Sequence, residues 1–301
     1  MTQRITPEMQ SSLLLASINN DLVALDRTQN ELSTGMQITQ PSDDPYGTAL
    51  SMQLSGQIST MGSYSANIND ATAWANTAST ALDSIQQAVQ SARTLVVEAG
   101  DGSLGSSGDA SIASQIGELI TDVKQAADTQ YNGQYIFSGT ATNVAPYADA
   151  TADAYQGDQG SILRTIGPGT SPIAVNVNVS SVLGQGRAAS DGLLLDTLET
   201  IQSDVASGNI TSTDDLTKLD SNISSLEGLQ GTVGSLQDRL QMASSRITAF
   251  QTTDQTQLAN TEDVDMASAS INYSTEQAAY SAALQTGAQI VQTSLLNFLK
   301  S

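Results

Sequence analysis

Residues 54–96 read LSGQISTMGSYSANINDATAWANTASTALDSIQQAVQSARTLV. Stepped alternately by three and four, the stretch lines up Leu54, Gln57, Met61, Tyr64, Ile68, Ala71, Ala75, Ala78, Leu82, Ile85, Val89, Ala92 and Val96, with Gln57 the single plainly polar member. A half-buried strand needs a period of two, so this spacing predicts a long helix with an apolar seam along one side. The prolines agree, because all six lie at 7, 41, 45, 146, 168 and 172 and leave 46–145 and 173–301 open to long helices. The glycine-rich run from Gly100 to Gly108 should end the helix.

Working outward, Asp109 reads as the N-cap of a second helix through Ile112, Ile116, Leu119, Val123 and Ala126, stopping before the turn signal Asn132-Gly133. The following Gln134-Tyr135-Ile136-Phe137 is strand-like, as are 161–166 and the alternating run from Ile173 to Val179. Helical spacing returns at Leu194, Leu198, Ile201 and Val205 and breaks at Gly208-Asn209. It resumes through Leu216, Leu219, Ile223 and Leu226, then Leu229, Val233, Leu236, Leu240, Ala243, Ile247 and Phe250. Two successive steps of three meet at Leu226–Leu229, beside Gly228 and Gly231, and predict a local shift of the seam.

The chain therefore reads as mainly α, a long helical bundle built from both halves with a small β-rich insertion. The segments are an N-terminal helix and linker over 1–45, long helices over 46–137, the insertion over 138–190, returning helices over 191–258 and a C-terminal helix over 259–301.

Both chain ends are amphipathic. Leu15, Ile18, Leu22, Leu25, Gln29, Leu32 and Met36 form a heptad stripe, and Tyr280, Leu284, Ala288, Val291, Leu295 and Phe298 form another near the C terminus. Two such helices paired together would leave apolar positions such as Ile5, Met9 and Leu13 uncovered. We expect both ends to order fully only when several copies pack side by side.

Composition narrows the function. With no cysteine and no histidine, disulfides, thiolate nucleophiles, Cys/His zinc sites and histidine-dependent triads are excluded. The ten basic residues are scattered against 31 acidic ones, for a net charge of −21, which argues against nucleic acid and anionic membranes as partners. No apolar run reaches the length of a bilayer span or of a signal-peptide core, so no cleavable leader is expected. The acidic pairs Asp43-Asp44 and Asp214-Asp215 and the group Glu262, Asp263 and Asp265 fall where helices should begin, and capping explains them better than acid/base chemistry. Asp149, Asp153 and Asp158 lack the spacing of a calcium loop and read as solvated turn residues. Trp74 stands one position off the long seam and reads as a flanking packing residue rather than a binding hot spot. No catalytic residue, cofactor or metal ligand is expected.

Between the first two helices lies Leu32-Ser33-Thr34-Gly35-Met36-Gln37-Ile38-Thr39-Gln40-Pro41-Ser42-Asp43-Asp44-Pro45-Tyr46-Gly47. Gly35 suits a left-handed helix end. Asp44 suits an N-cap with Pro45 in the first helical position, and Ser42 and Asp43 would favour the helix dipole. This linker also resembles a signature near the N terminus of flagellin-family proteins, in the family's hook-associated branch. Similar matches occur at Arg4–Met9, Asn132–Gly139, Tyr155–Asp158, Glu262–Ala267 and Gln292–Leu299.

The resemblance implies a non-catalytic axial protein of the extracellular bacterial flagellum, sent out by type III export without a cleaved signal peptide. It also implies an export chaperone bound near the C terminus, and assembly as a homo-oligomer between another hook-associated protein and flagellin. The interaction residues would be Leu15, Ile18, Leu22, Leu25 and Leu32 with Tyr280, Leu284, Val291, Leu295 and Phe298. Gly35, Pro41, Ser42, Asp43, Asp44 and Pro45 would form the linker motif. The competing readings are a short filament flagellin and a secreted enzyme or ligand-binding protein with its site in 138–190.

Overall fold

A computed structural model describes residues 7–101, 105–147, 154–186, 189–209 and 212–299. Side chains are described from Met9 to Gln289 within those ranges, Ser212 and Thr213 apart. Among the described residues the order is α1 (Pro7–Thr34), α2 (Pro45–Gly100), α3 (Gly105–Ala127), β1 (Gln130–Tyr131), β2 (Gln134–Tyr135), β3 (Leu163–Arg164), β4 (Ile173–Ala174), α4 (Ser180–Leu183), α5 (Leu194–Ala206), α6 (Ser212–Glu262) and α7 (Met266–Leu299). Two compact units result, one of Met1–Thr60 with Phe250–Ser301 and one of Met61–Ala249.

In the Met61–Ala249 unit the predicted seam of α2 is buried as read, from Met61 through Ile68, Leu82, Ile85 and Val89 to Val96. Trp74, Ala81 and Ala88 add a second buried line beside it, because α2 has neighbours on two sides here. α6 runs antiparallel to α2, and three polar pairs share one register: Arg93 with Asp220, Asp83 with Gln230 at 2.9 Å, and Asn76 with Gln237 at 2.9 Å. The Arg93 guanidinium donates to both Asp220 oxygens, Nε–Oδ1 being 2.7 Å. Polar rungs outside an apolar seam are how paired heptad helices fix their alignment.

The predicted shift in the α6 seam is absent. Asn222, 5% exposed, takes the core position in place of Ile223, so Leu219, Asn222, Leu226, Leu229, Val233, Leu236, Leu240, Ala243 and Ile247 continue one heptad. The amide is tolerated because Nδ2 donates to Thr197 Oγ1 at 3.0 Å. The second helix also starts earlier than expected, at Gly105 rather than after Asp109. Its buried face carries Ile120 and Ala127 where Leu119 and Ala126 were read. α3 and α5 approach closely at Gly117, where a Cβ would stand 2.5 Å from Gln202 Nε2.

The insertion joins the same core. β1 and β2 pair through a turn with Asn132 at φ 50° and Gly133 at φ 77°, the geometry of a type I′ hairpin. β3 pairs antiparallel with β4. Ile173, Val175, Val177 and Val179 are buried while Ala174 is exposed and Asn176 and Asn178 half-buried, so the period-two reading holds even though regular pairing covers only two residues. Arg164 pairs with Asp70, and Asn67 Nδ2 donates to the Thr165 carbonyl at 3.0 Å, tying the insertion to α2.

Candidate functional site

The terminal unit is built from α1, α7 and the linkers beside them. Gly35 (φ +73°) ends α1 in the left-handed region, and its N–H reaches the Glu31 carbonyl at 2.8 Å. The two linkers then clasp: Met36 bridges Asp263, Gln37 N–H donates to the Glu262 carbonyl at 2.7 Å, and Val264 N–H to the Gly35 carbonyl at 2.9 Å. Asp44 caps α2, taking the Tyr46 N–H on Oδ1 at 3.0 Å, with Pro45 first in the helix.

Asp43 has a different task from the dipole role anticipated for it. Its Oδ2 accepts the N–H groups of Gln40 at 2.9 Å and Thr39 at 3.1 Å, closing the turn and holding its carboxyl below the usual aspartate value. Gly47 is required by space, since a Cβ would stand 2.5 Å from Asp44 Oδ2 and 2.6 Å from Ile38 Cδ1. The α7 start is capped by Asp265, which accepts the Ala267 N–H at 3.0 Å and the Ser268 hydroxyl at 2.9 Å.

α1 and α7 pack on one another antiparallel. The α1 line turned inward is Leu14, Ile18, Asp21, Leu25, Thr28 and Leu32. The facing α7 line is Ala269, Tyr273, Glu276, Tyr280, Ala283 and Gly287. This seam is small and partly polar. Other large apolar side chains look elsewhere: Leu15 is 59% exposed, Val23 68%, Ile271 67% and Leu284 45%, with Met9, Leu13, Leu22 and Met266 also exposed.

Of the interaction residues read from the sequence, Ile18, Leu25, Leu32 and Tyr280 are half-buried on the inward lines, while Leu15, Leu22 and Leu284 face outward. Val291, Leu295 and Phe298 belong to α7, but their side chains lie outside the described residues. Sequence reading missed Thr28, Glu276 and Gly287. Ile18, Leu25 and Leu32 marked half of the inward face of α1, and the heptad spacing of Leu14, Asp21 and Thr28 was the signal for the other half.

Elsewhere, candidate chemistry is absorbed by structure. Asp158 accepts the Thr140 hydroxyl and the N–H groups of Thr140 at 2.7 Å and Gly160 at 2.8 Å, which together depress its carboxyl, and Asp149 and Asp153 lie outside the described residues. Gly139 (φ +69°) permits that closure, because a Cβ there would collide with Asp158. Trp74 is buried edge-on to Tyr131, centroids 6.0 Å apart. Among the described residues no group of His, Cys, Asp or Glu is placed to hold a metal ion, and no helix is long and apolar enough to cross a membrane.

Such long antiparallel helices, with an outward apolar face on the terminal pair, define a helical assembly subunit. The bacterial flagellin N-terminal helical region matches residues 5–142 and the flagellin C-terminal helical region matches 216–299, together well over half of the chain. The chain belongs to the bacterial flagellin family.

Flagellar hook-associated protein 3 of Salmonella typhimurium is 29% identical over 164 residues, covering 54% of this chain and 51% of that protein. The flagellar filament 41 kDa core protein of Borreliella burgdorferi is 25% identical over 269 residues, covering 77% of this chain and 80% of that protein. The chain thus spans about half the length of the hook-associated relatives it matches. The crystal structure of flagellar hook-associated protein-3 from Legionella pneumophila shares the fold at a TM-score of 0.60 and 13% identity, covering 69% of this chain and 98% of that one.

Proposed function

We propose that this chain is a non-catalytic axial adaptor of the bacterial flagellum, working at the junction of hook and filament outside the cell. The observation that carries the reading is the outward apolar face of the terminal pair, at Leu15, Leu22, Val23 and Leu284, beside a seam too small to be a core by itself. Further copies of the chain, a hook-associated protein on one side and flagellin on the other are the partners that would cover it. The similarity to hook-associated protein 3 supports this placement. Type III export with a chaperone on the C-terminal region belongs to the same proposal.

The test is incorporation. Leu15→Gln with Leu22→Gln alters outward side chains only, so the purified chain should keep its helix content and unfolding midpoint while flagella carrying it lose their filaments. Normal filaments from that variant would count against the assembly role, and immunogold label along the shaft rather than at the hook tip would count against the junction. The Borreliella filament protein, aligned across most of the chain, favours one other reading, a short flagellin. Purified subunits that grow long filaments without a hook-associated partner would establish it.

A further inference from the structure

Among the described side chains of α1, Thr28 is the most deeply buried, only 4% exposed, and it is polar. Its hydroxyl lies 2.7 Å from the Ala24 carbonyl and in contact with the Glu276 carboxylate of α7. Around it the helices do not close tightly. A groove of about 430 Å³, lined by Val23, Arg27, Thr28, Asn272 and Glu276, opens at this level, so interlocking side chains do not hold the pair here.

On the α7 line, Ala269, Ala283 and Gly287 offer little shape to resist sliding, and the tyrosines at 273 and 280 repeat one heptad apart. Displaced by a heptad, the apolar positions would still face one another. Thr28 would not face Glu276. We propose that the Thr28–Glu276 contact sets the register in which α1 pairs with α7 of its own chain.

The physical basis is the cost of a mismatch. A polar pair in an apolar seam adds little stability over an apolar pair of the same shape, but it penalises every alignment that leaves either group unpaired. Two other features act at the ends of the pair: the linker clasp of Gln37 with Glu262, and the notch at Gly287, where a Cβ would lie 3.0 Å from Leu14 Cδ2. The contact between them is a polar side-chain tie inside the seam that a slipped partner would not make. Thr28 has a single hydroxyl proton for two acceptors, so Glu276→Gln can donate to Thr28 Oγ1 while the hydroxyl serves Ala24, and should preserve the register. The inference concerns pairing within one chain and does not depend on a position at the hook.

The chain has no cysteine, so introduced disulfides report register cleanly. Leu14→Cys with Gly287→Cys reports the observed alignment, and Leu14→Cys with Tyr280→Cys reports a slip of one heptad. Both remove the Leu14 contact with Gly287. On oxidation of the full chain, which traps even transient pairing, the first disulfide should exceed the second by about tenfold or more, the ratio that one charge-assisted hydrogen bond sustains. In Thr28→Val with Glu276→Leu the ratio should fall to within about threefold of unity with helix content unchanged or higher. The isosteric Thr28→Val alone should move it the same way, and Glu276→Gln should restore the excess.

A ratio unaffected by removing both groups would overturn the proposal. So would helix loss in place of slippage, failure of the first disulfide to form in the chain carrying Thr28 and Glu276, or dominance of disulfides between chains.

Discussion

The two units use one device, an antiparallel pair of heptad-patterned helices, and reach opposite results. Between residues 61 and 249 the heptads carry Ile68, Leu82, Ile85 and Val89 on α2 and Leu219, Leu226 and Leu240 on α6, every one of them at most 2% exposed. In the terminal unit the inward lines hold Leu14, Ile18, Leu25 and Leu32 only half-buried, mixed with Thr28, Ala269 and Gly287, while Leu15, Val23 and Ile271 look outward. Periodicity creates a helix with a face in either case. Whether that face forms a complete core depends on where the large side chains point and how many neighbours cover them. The first unit buries its apolar faces within itself, and the second leaves large apolar side chains exposed, the face that the proposed assembly would cover.

The sharpest way to break this contrast is hydrogen exchange on the free chain. Amides of α1 and of α7 before residue 290 should exchange orders of magnitude faster than those of 68–96, because their opening exposes little buried surface, and should become protected on assembly. Equal protection in both regions of the monomer would erase the distinction and the expectation that the ends order by packing between copies. At the level of single side chains, Leu226→Ala should destabilise the chain by about 2–5 kcal/mol in denaturant titration. Leu15→Ala, at an exposed site, should stay within about 0.5 kcal/mol.

Sequence reading located every long helix and the β-rich insertion, because heptads, prolines and glycines act locally. It lost the phase wherever a polar residue occupies an inward position. Asn222 carries no apolar side chain to mark it, and its neighbour Ile223 draws the seam aside. Only the fold brings Thr197 within reach of the Asn222 amide.

Thr28 misled in the same way: the stripe as read holds Ile18, Leu25 and Leu32 of the inward line but fills the alternate positions with Leu15, Leu22 and Gln29, where the intramolecular pair uses Leu14, Asp21 and Thr28. Trp74 packs on Tyr131 of β1, and Ala81 and Ala88 share one core with α3 and the insertion, an association of distant segments that no period announces. The linker was more legible, since Gly35, Asp44 and Pro45 act on their immediate neighbours. Asp43 was less so, because its partners Thr39 and Gln40 precede it in a turn that spacing alone does not specify.

Asn222 offers a test of intermediate size. Asn222→Ala should cost about 1–3 kcal/mol, since it opens a gap in the seam and removes the hydrogen bond that the amide donates to Thr197 Oγ1, whose own proton stays with the Gly192 carbonyl at 3.1 Å. Combined with Thr197→Val, the total loss should fall short of the sum of the two single losses, because either change alone already breaks that contact. If the losses simply add, the amide is not held by that contact.

The smallest effect expected, and the one that most directly sets the units against each other, is the pH dependence of two helix-start aspartates. Asp215, in the first turn of α6, is 4% exposed; burial, with nearby Asp204 and Asp214, raises its carboxyl above the usual 3.8 against the opposing pull of Lys218. The native chain therefore holds that proton more tightly than the unfolded chain, and stability falls as pH rises from the ordinary aspartate range through the raised value. Asp265, the exposed cap of α7, is lowered by the Ser268 hydroxyl and the Ala267 N–H, so its stabilisation is present above the ordinary range and fades as pH falls through the lowered value. Asp215→Asn should therefore raise the unfolding midpoint at neutral pH, with the gain vanishing once acid protonates Asp215 in both folded and unfolded chains. Asp265→Ala should leave that global midpoint nearly unchanged while increasing amide exchange in the first turn of α7 at neutral pH. A neutral-pH loss of global stability in Asp215→Asn would show that the buried carboxylate is a favourable partner in the closed unit, rather than a charge it holds at a cost.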